Sequence, residues 1–188
     1  MSKKVSSFKE SLPVLISRSR IEGCLKELAR RINRDYLGKN LYIVCILKGA
    51  FVFMADLIRQ LKVDAICDFI MLSSYESNTR SSGKTRTKLD LTSKYSLYNK
   101  DVLIIEDIVD TGLTIKYLRE KLLREKPRSV RVCTLLDKPS RRKVKVKLDY
   151  VGFRIPNRFV IGYGIDFNEQ YRTLPEIRYI PESRNRKA

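Results

Sequence analysis

VLIIEDIVDTGLT, residues 102–114, decides how this chain is read. It joins a continuous apolar, largely β-branched run to two adjacent carboxylates, a third carboxylate three residues on, and a turn of hydroxyls and glycine. Val102, Leu103, Ile104 and Ile105 lack polar alternation, the mark of a parallel strand buried on both faces. Thr111, Gly112, Leu113 and Thr114 read as the turn at a helix N-terminus, whose free amides suit a phosphate. An apolar strand alone is core, and Asp-Thr-Gly alone is a helix cap. Glu106, Asp107 and Asp110, set between the two at a strand's carboxyl end, turn the pair into a polar site.

Outward from this stretch, helical and strand periods alternate. Ile21, Leu25, Leu28 and Ile32 recur at helical spacing and predict an amphipathic helix ending near Leu37 and Gly38. LYIVCIL (41–47) predicts a buried strand; Phe51, Met54, Leu57, Ile58 and Leu61 a second helix; and residues 65–72 a second strand. Residues 73–88, SSYESNTRSSGKTRTK, have no core-forming character and read as a long loop, the kind that serves as a lid or binding loop. After the opening strand, Ile115, Leu118 and Leu122 predict a helix over 111–125, and 130–136 another strand. This order predicts an α/β fold with a parallel sheet flanked by helices. Residues 149–181 hold aromatics, turn glycines and internal prolines without a helical period, and read as a small covering hood of short strands and loops. We expect one domain over 1–188, with a core over about 10–137, a hood over about 138–180 and a basic tail over 181–188.

Composition narrows the chemistry. At 43% hydrophobic and 32% charged, with few Gly and Pro, the chain is globular rather than disordered or fibrous. No stretch has the roughly 18 uncharged apolar residues of a membrane span, and the N-terminal residues lack the apolar region of a signal peptide, so a cytoplasmic protein is expected. Cys24, Cys45, Cys67 and Cys133 are widely spaced without a CxxC pair, three of them in apolar runs, as buried free thiols are. The chain contains no histidine. Histidine-based triads, bases and metal sites are therefore excluded; proton transfer falls to carboxylates, Lys or Tyr, and any metal is held by oxygen. The net charge of +18 points to an anionic partner. Much of it lies in SRRKVKVK (140–147) and the tail RNRK (184–187), whose plainer reading is a solvated face and a frayed terminus; in the first, Lys143, Lys145 and Lys147 alternate with Val144, Val146 and Leu148 as on a half-exposed strand, with no interleaved aromatic platform for nucleic acid.

A strand ending in paired carboxylates and running into Thr-Gly-x-Thr resembles the ribose 5-phosphate signature of the phosphoribosyltransferases. The chemistry agrees: amides and hydroxyls of the turn suit a phosphate dianion, and Glu106 and Asp107 suit vicinal hydroxyls as acceptors. Asp110 before the Thr-Gly turn narrows the resemblance to the 6-oxopurine branch, in which this carboxylate accepts the proton from purine N7. LKGA (47–50) is similar to the family's pyrophosphate loop at Lys48 and Gly49, and SSY (73–75) to the start of its mobile catalytic loop at Ser74 and Tyr75. Lys138 in TLLDKPS matches the lysine that donates to the purine 6-oxo group. VGFRIPNRFVIGYGIDFNEQYRTL matches the base-binding hood of hypoxanthine-guanine phosphoribosyltransferases: Phe159 is expected to stack on the purine and Val160 to read its edge. Asp166, with Glu106 and Asp107, is expected at the magnesium site, and Arg172 at pyrophosphate.

The resemblance covers residues 41–174 and implies the type I phosphoribosyltransferase fold. It implies magnesium-dependent transfer of the 5-phosphoribosyl group from 5-phosphoribosyl 1-diphosphate to hypoxanthine or guanine, in purine salvage, by a homodimer or homotetramer. The chain departs from the family's pattern in two places: Leu113 stands where many relatives have lysine, and 138–147 is unusually basic. The hood does not settle the purine's 2-substituent, so a xanthine-preferring or guanine-only relative stays open. So does an RNA-binding regulator on the same fold, although Asp110, Lys138, Phe159 and Asp166 together argue against a purely regulatory protein.

Overall fold

The computed structural model describes residues 11–74, 85–92 and 95–181. Its centre is a six-stranded sheet formed by Leu41–Leu47 (β2), Ala65–Ser74 (β3), Thr85–Leu89 (β4), Asp101–Val109 (β5), Ser129–Asp137 (β6) and Tyr150–Arg154 (β7). The strand order is β4-β3-β2-β5-β6-β7, parallel except for β4, which pairs antiparallel with β3 at the edge. β2 and β5 are apolar on both faces because helices cover both. Ile43, Cys45, Leu103 and Ile105 face Arg18–Asp35 (α1) and Phe51–Ile58 (α2); Tyr42, Val44, Val102 and Ile104 face Leu113–Leu123 (α3). α1 begins where the Ser17 side chain accepts from Arg20 N (3.4 Å), and it buries Ile21, Leu25, Leu28, Ala29 and Ile32, the stripe its spacing predicts.

From β2 the chain crosses to β3 on one side and later returns to β5 on the other, so the direction of winding reverses between β2 and β5. Doubly wound sheets bind ligands at such a reversal, beyond the strands' carboxyl ends.

A second, antiparallel sheet joins Val14–Ile16 (β1), Ile177–Ile180 (β9) and Phe159–Ile161 (β8) in the order β1-β9-β8. The sequence reading needs three corrections here. The covering sheet borrows a strand from the start of the chain, while β7, from the same aromatic-rich stretch, joins the large sheet. The span 73–88 is not one loop: β3 runs through Ser74 and β4 covers Thr85–Leu89, leaving 75–84, with Tyr75, outside the described residues. Residues 142–148 are no strand but an extended segment after a 3-10 turn, Pro139–Arg141. Its alternation is real even so: Lys143, Lys145 and Lys147 are exposed, while Val146 and Leu148 pack against the core on the α3 side. The four thiols are free, and Cys67 is exposed rather than buried.

Candidate active site

The turn after β5 is built by one glycine. Gly112 has φ +85°, a left-handed conformation that L side chains rarely adopt, and caps α3, which begins at Leu113 rather than Thr111. Thr111 Oγ1 accepts from Leu113 N (3.3 Å), and the helix's first bond runs from Lys116 N to Gly112 O (3.0 Å). The basic segment forms the outer wall of this turn: Lys143 N and Val144 N donate to Thr111 O at 3.0 and 3.3 Å, and Arg142 packs over Gly112. The Arg142 guanidinium pairs with Asp137, itself nearly buried at the end of β6.

Behind the turn lie Glu106, 6% exposed, and Asp107. Burial pushes the Glu106 carboxyl well above the ordinary range, and the neighbouring Asp107 charge pushes it further. Burial also raises Asp107, against hydrogen bonding from Glu106 and the nearby Arg172 cation. Two carboxyls buried side by side in this way disfavour ionising together, and both are pushed up.

Asp107 reaches the neighbouring strand's loop. A Cβ at Gly49 would overlap the Asp107 carboxylate, and a Cβ at Gly164 (φ +94°) would overlap Gly49 O, so only glycines allow this approach. The Leu47–Lys48 peptide is cis. Arg172 Nη1 donates to Gly164 O (2.9 Å) and meets Asp166 Oδ1 (3.0 Å); Arg172 Nη2 and Lys48 Nζ both reach Glu169 Oε2, at 2.9 and 3.1 Å. Lys48, Gly49, Asp107, Asp166 and Arg172 thus meet around one loop, although they come from three distant parts of the chain.

On the other side of the turn, a cleft of about 670 Å³ is lined by Asp110, Lys138, Arg141, Phe159 and Tyr179, among others. Lys138 N donates to Val109 O (3.0 Å), which anchors the lysine beside the end of β5. Burial lowers the pKa of Lys138, 8% exposed, while Asp110 opposes the shift. Phe159 is 40% exposed and braced edge-on by Phe167 at 5.5 Å between ring centres; Val160 is buried and pairs with Tyr179 across β8 and β9. Arg141 Nε donates to Asp110 Oδ1 (3.2 Å).

Most of the residues singled out in the sequence therefore gather in two adjoining places, on either side of 110–114. Ser74 ends β3, while Tyr75 lies outside the described residues. Among the described residues no group of three His, Cys, Asp or Glu could hold a metal ion, so Glu106, Asp107 and Asp166 form no protein cage. They do fit magnesium that arrives on a ligand's phosphates. The donors are all oxygen, Asp107 lies against Gly49, and Asp166 follows the glycine on Gly49's other side, which suits a cation bound through one or two carboxylates and otherwise by phosphate and water. The sequence reading missed Glu169 and Arg141. Glu169 lies within the stretch matched to the hood but was given no role there, and Arg141 lies in the basic run 140–147, where nothing marks one arginine from its neighbours.

Residues 17–168 match the profile of the phosphoribosyl transferase domain. A hypoxanthine-guanine phosphoribosyltransferase of Staphylococcus aureus is 47% identical over 164 residues, 87% of this chain and 90% of that protein. One from Streptococcus pneumoniae is 44% identical over 169 residues, 90% of this chain and 93% of that protein. The crystal structure of a hypoxanthine phosphoribosyltransferase from Staphylococcus aureus matches with a TM-score of 0.89 at 43% identity, covering 97% of each chain.

Proposed function

The chain belongs to the phosphoribosyltransferase family, and on that premise we propose that it joins hypoxanthine or guanine to the 5-phosphoribosyl group of 5-phosphoribosyl 1-diphosphate, forming IMP or GMP and pyrophosphate in purine salvage. The observation that carries this reading is the cleft in which Asp110, Lys138 and Phe159 meet beside the phosphate turn. Phe159 supplies a ring on which a planar base stacks, and any base would do. Lys138 supplies the discrimination, since its ammonium donates to a 6-oxo group and repels a 6-amino group.

In the reaction the bond from sugar C1 to the diphosphate oxygen breaks as C1 bonds to purine N9. The proton on N7 passes to Asp110, the base available without histidine. Amides and hydroxyls of 111–114 hold the 5-phosphate at the amino end of α3, while Glu106 and Asp107 receive the ribose hydroxyls. Lys48, Arg172 and the amides near Gly49 stabilise the departing pyrophosphate. Asp166 and Asp107 are the residues that would hold magnesium together with the diphosphate, where it would supply further neutralisation of the leaving group's charge. Ser74, the last residue of β3, and Tyr75, outside the described residues, are assigned to exclude water from the reaction centre. The same kinship supports a homodimer or homotetramer in the cytoplasm, which sedimentation and cell fractionation test.

Incubation with donor and magnesium against hypoxanthine, guanine, xanthine and adenine tests the reading. Turnover of hypoxanthine and guanine is expected; none with any base overturns it.

A further inference from the structure

Glu169 is the residue of the pyrophosphate loop region for which the reaction above has no use. Its single Oε2 receives both Lys48 Nζ (3.1 Å) and Arg172 Nη2 (2.9 Å), the two cations assigned to the leaving group. Arg172 is only 17% exposed on its side chain and cannot sit there without an acceptor, whereas the Glu169 side chain is 65% exposed and free to swing into water.

The backbone beneath Glu169 is built for a different residue. Phe167 N donates to Gln170 O (3.1 Å) and Gln170 N to Phe167 O (3.0 Å), closing a two-residue turn with Asn168 at φ +50° and Glu169 at φ +61°. A turn with both central residues left-handed favours Asn followed by Gly. Asn is present; Gly is replaced by a residue whose Cβ makes that conformation costly. The turn does not need the Glu side chain to form, because Asp166 Oδ2 accepts from Glu169 N (2.9 Å) whatever the side chain is. A carboxylate is kept where glycine fits best, and its contacts are the two cations. Hydrogen bonds from Arg172 and Lys48 hold its pKa below the ordinary value, so it is anionic at neutral pH.

We propose that the Glu169 carboxylate is an internal stand-in for the donor's diphosphate: it holds Lys48 and Arg172 together before the donor binds, competes with pyrophosphate for them, and leaves when the diphosphate arrives. The proposal rests on the assignment of Lys48 and Arg172 to the pyrophosphate. It makes Glu169 a positioning residue that weakens donor binding and speeds release of the product pyrophosphate.

The sign of one measurement separates this from a carboxylate that merely orients Arg172. Binding of magnesium pyrophosphate is measured calorimetrically for the wild type, Glu169→Gly and Glu169→Gln, with donor KM in parallel. Competition predicts tighter binding on removal of the charge, by roughly three- to tenfold, the scale of two surface ion pairs. The gain should be larger for Gly than for Gln and shrink as salt rises. Orientation predicts weaker binding, and unchanged or weaker binding in both variants overturns the proposal. Glu169→Gly is expected to melt no lower than the wild type, since the turn accepts glycine; Glu169→Gln provides the same reading should it not. Arg172→Ala tests the underlying assignment separately. It must weaken pyrophosphate binding; if it does not, the pyrophosphate site itself is misplaced, whatever Glu169 does.

Discussion

Asp110 faces two partners. It accepts from Arg141 Nε, and in the reaction proposed above it takes the purine proton, a role that requires Arg141 to yield. Asp110→Asn keeps the size and the hydrogen-bonding shape but cannot take a proton; we expect turnover to fall roughly 10²-fold with donor affinity unchanged. Lost donor affinity with turnover intact would place Asp110 elsewhere in the reaction. Glu106 offers a pH test. Because burial raises its pKa in the folded state, the folded protein binds a proton that the unfolded chain releases, so stability present below the ordinary glutamate pKa is lost as pH rises. Glu106→Gln is neutral throughout, so its Tm relative to the wild type should climb from pH 5 to pH 8. A difference that stays flat with pH would show that Glu106 ionises normally. The same variant should raise KM for the donor more than for the base.

Among the elements, β5 carries the site and its start is clipped to β6. The Asp101 carboxylate, 4% exposed, accepts from Ser129 Oγ (2.6 Å) and from the Arg128 guanidinium. Burial opposes its ionisation, but these bonds outweigh it and hold the pKa below the ordinary aspartate value. Its stabilising contribution is therefore present above that value and lost as pH falls through the lowered one. Asp101→Asn should cost about 1–3 kcal/mol in urea unfolding at pH 7, with a smaller penalty at pH 3. A cost that does not change with pH would mean that the charge is immaterial. β2 and β5 were legible because burial on both faces leaves an unbroken apolar run. β4, with the sequence TRTKL, was not: an edge strand exposes its polar side chains, and only pairing with β3 makes it a strand. β1, at three residues, is too short for any period to show.

For the whole molecule, the absence of a three-carboxylate cage among the described residues predicts that magnesium belongs to catalysis and not to folding. A chelator should abolish turnover while moving Tm by no more than about 2 °C, the scale of about 0.5–1 kcal/mol; a large fall in Tm would reveal a structural metal. The sequence by itself determined the α/β class and the strand that ends in the paired carboxylates, because local periodicity is written along the chain; Asp110, Lys138, Phe159 and Arg172 were named through resemblance to the phosphoribosyltransferases, and their roles are those proposed above. Only the tertiary structure decided which residues meet. The reversal of winding between β2 and β5 brings Asp107 against Gly49, the turn at Gly164 closes on the Gly49 carbonyl, Arg141 comes to rest on Asp110, and Glu169 meets Lys48 from far along the chain. Such contacts come from sheet order and from close approaches that glycine permits, and neither has a period or spacing that a linear reading could find.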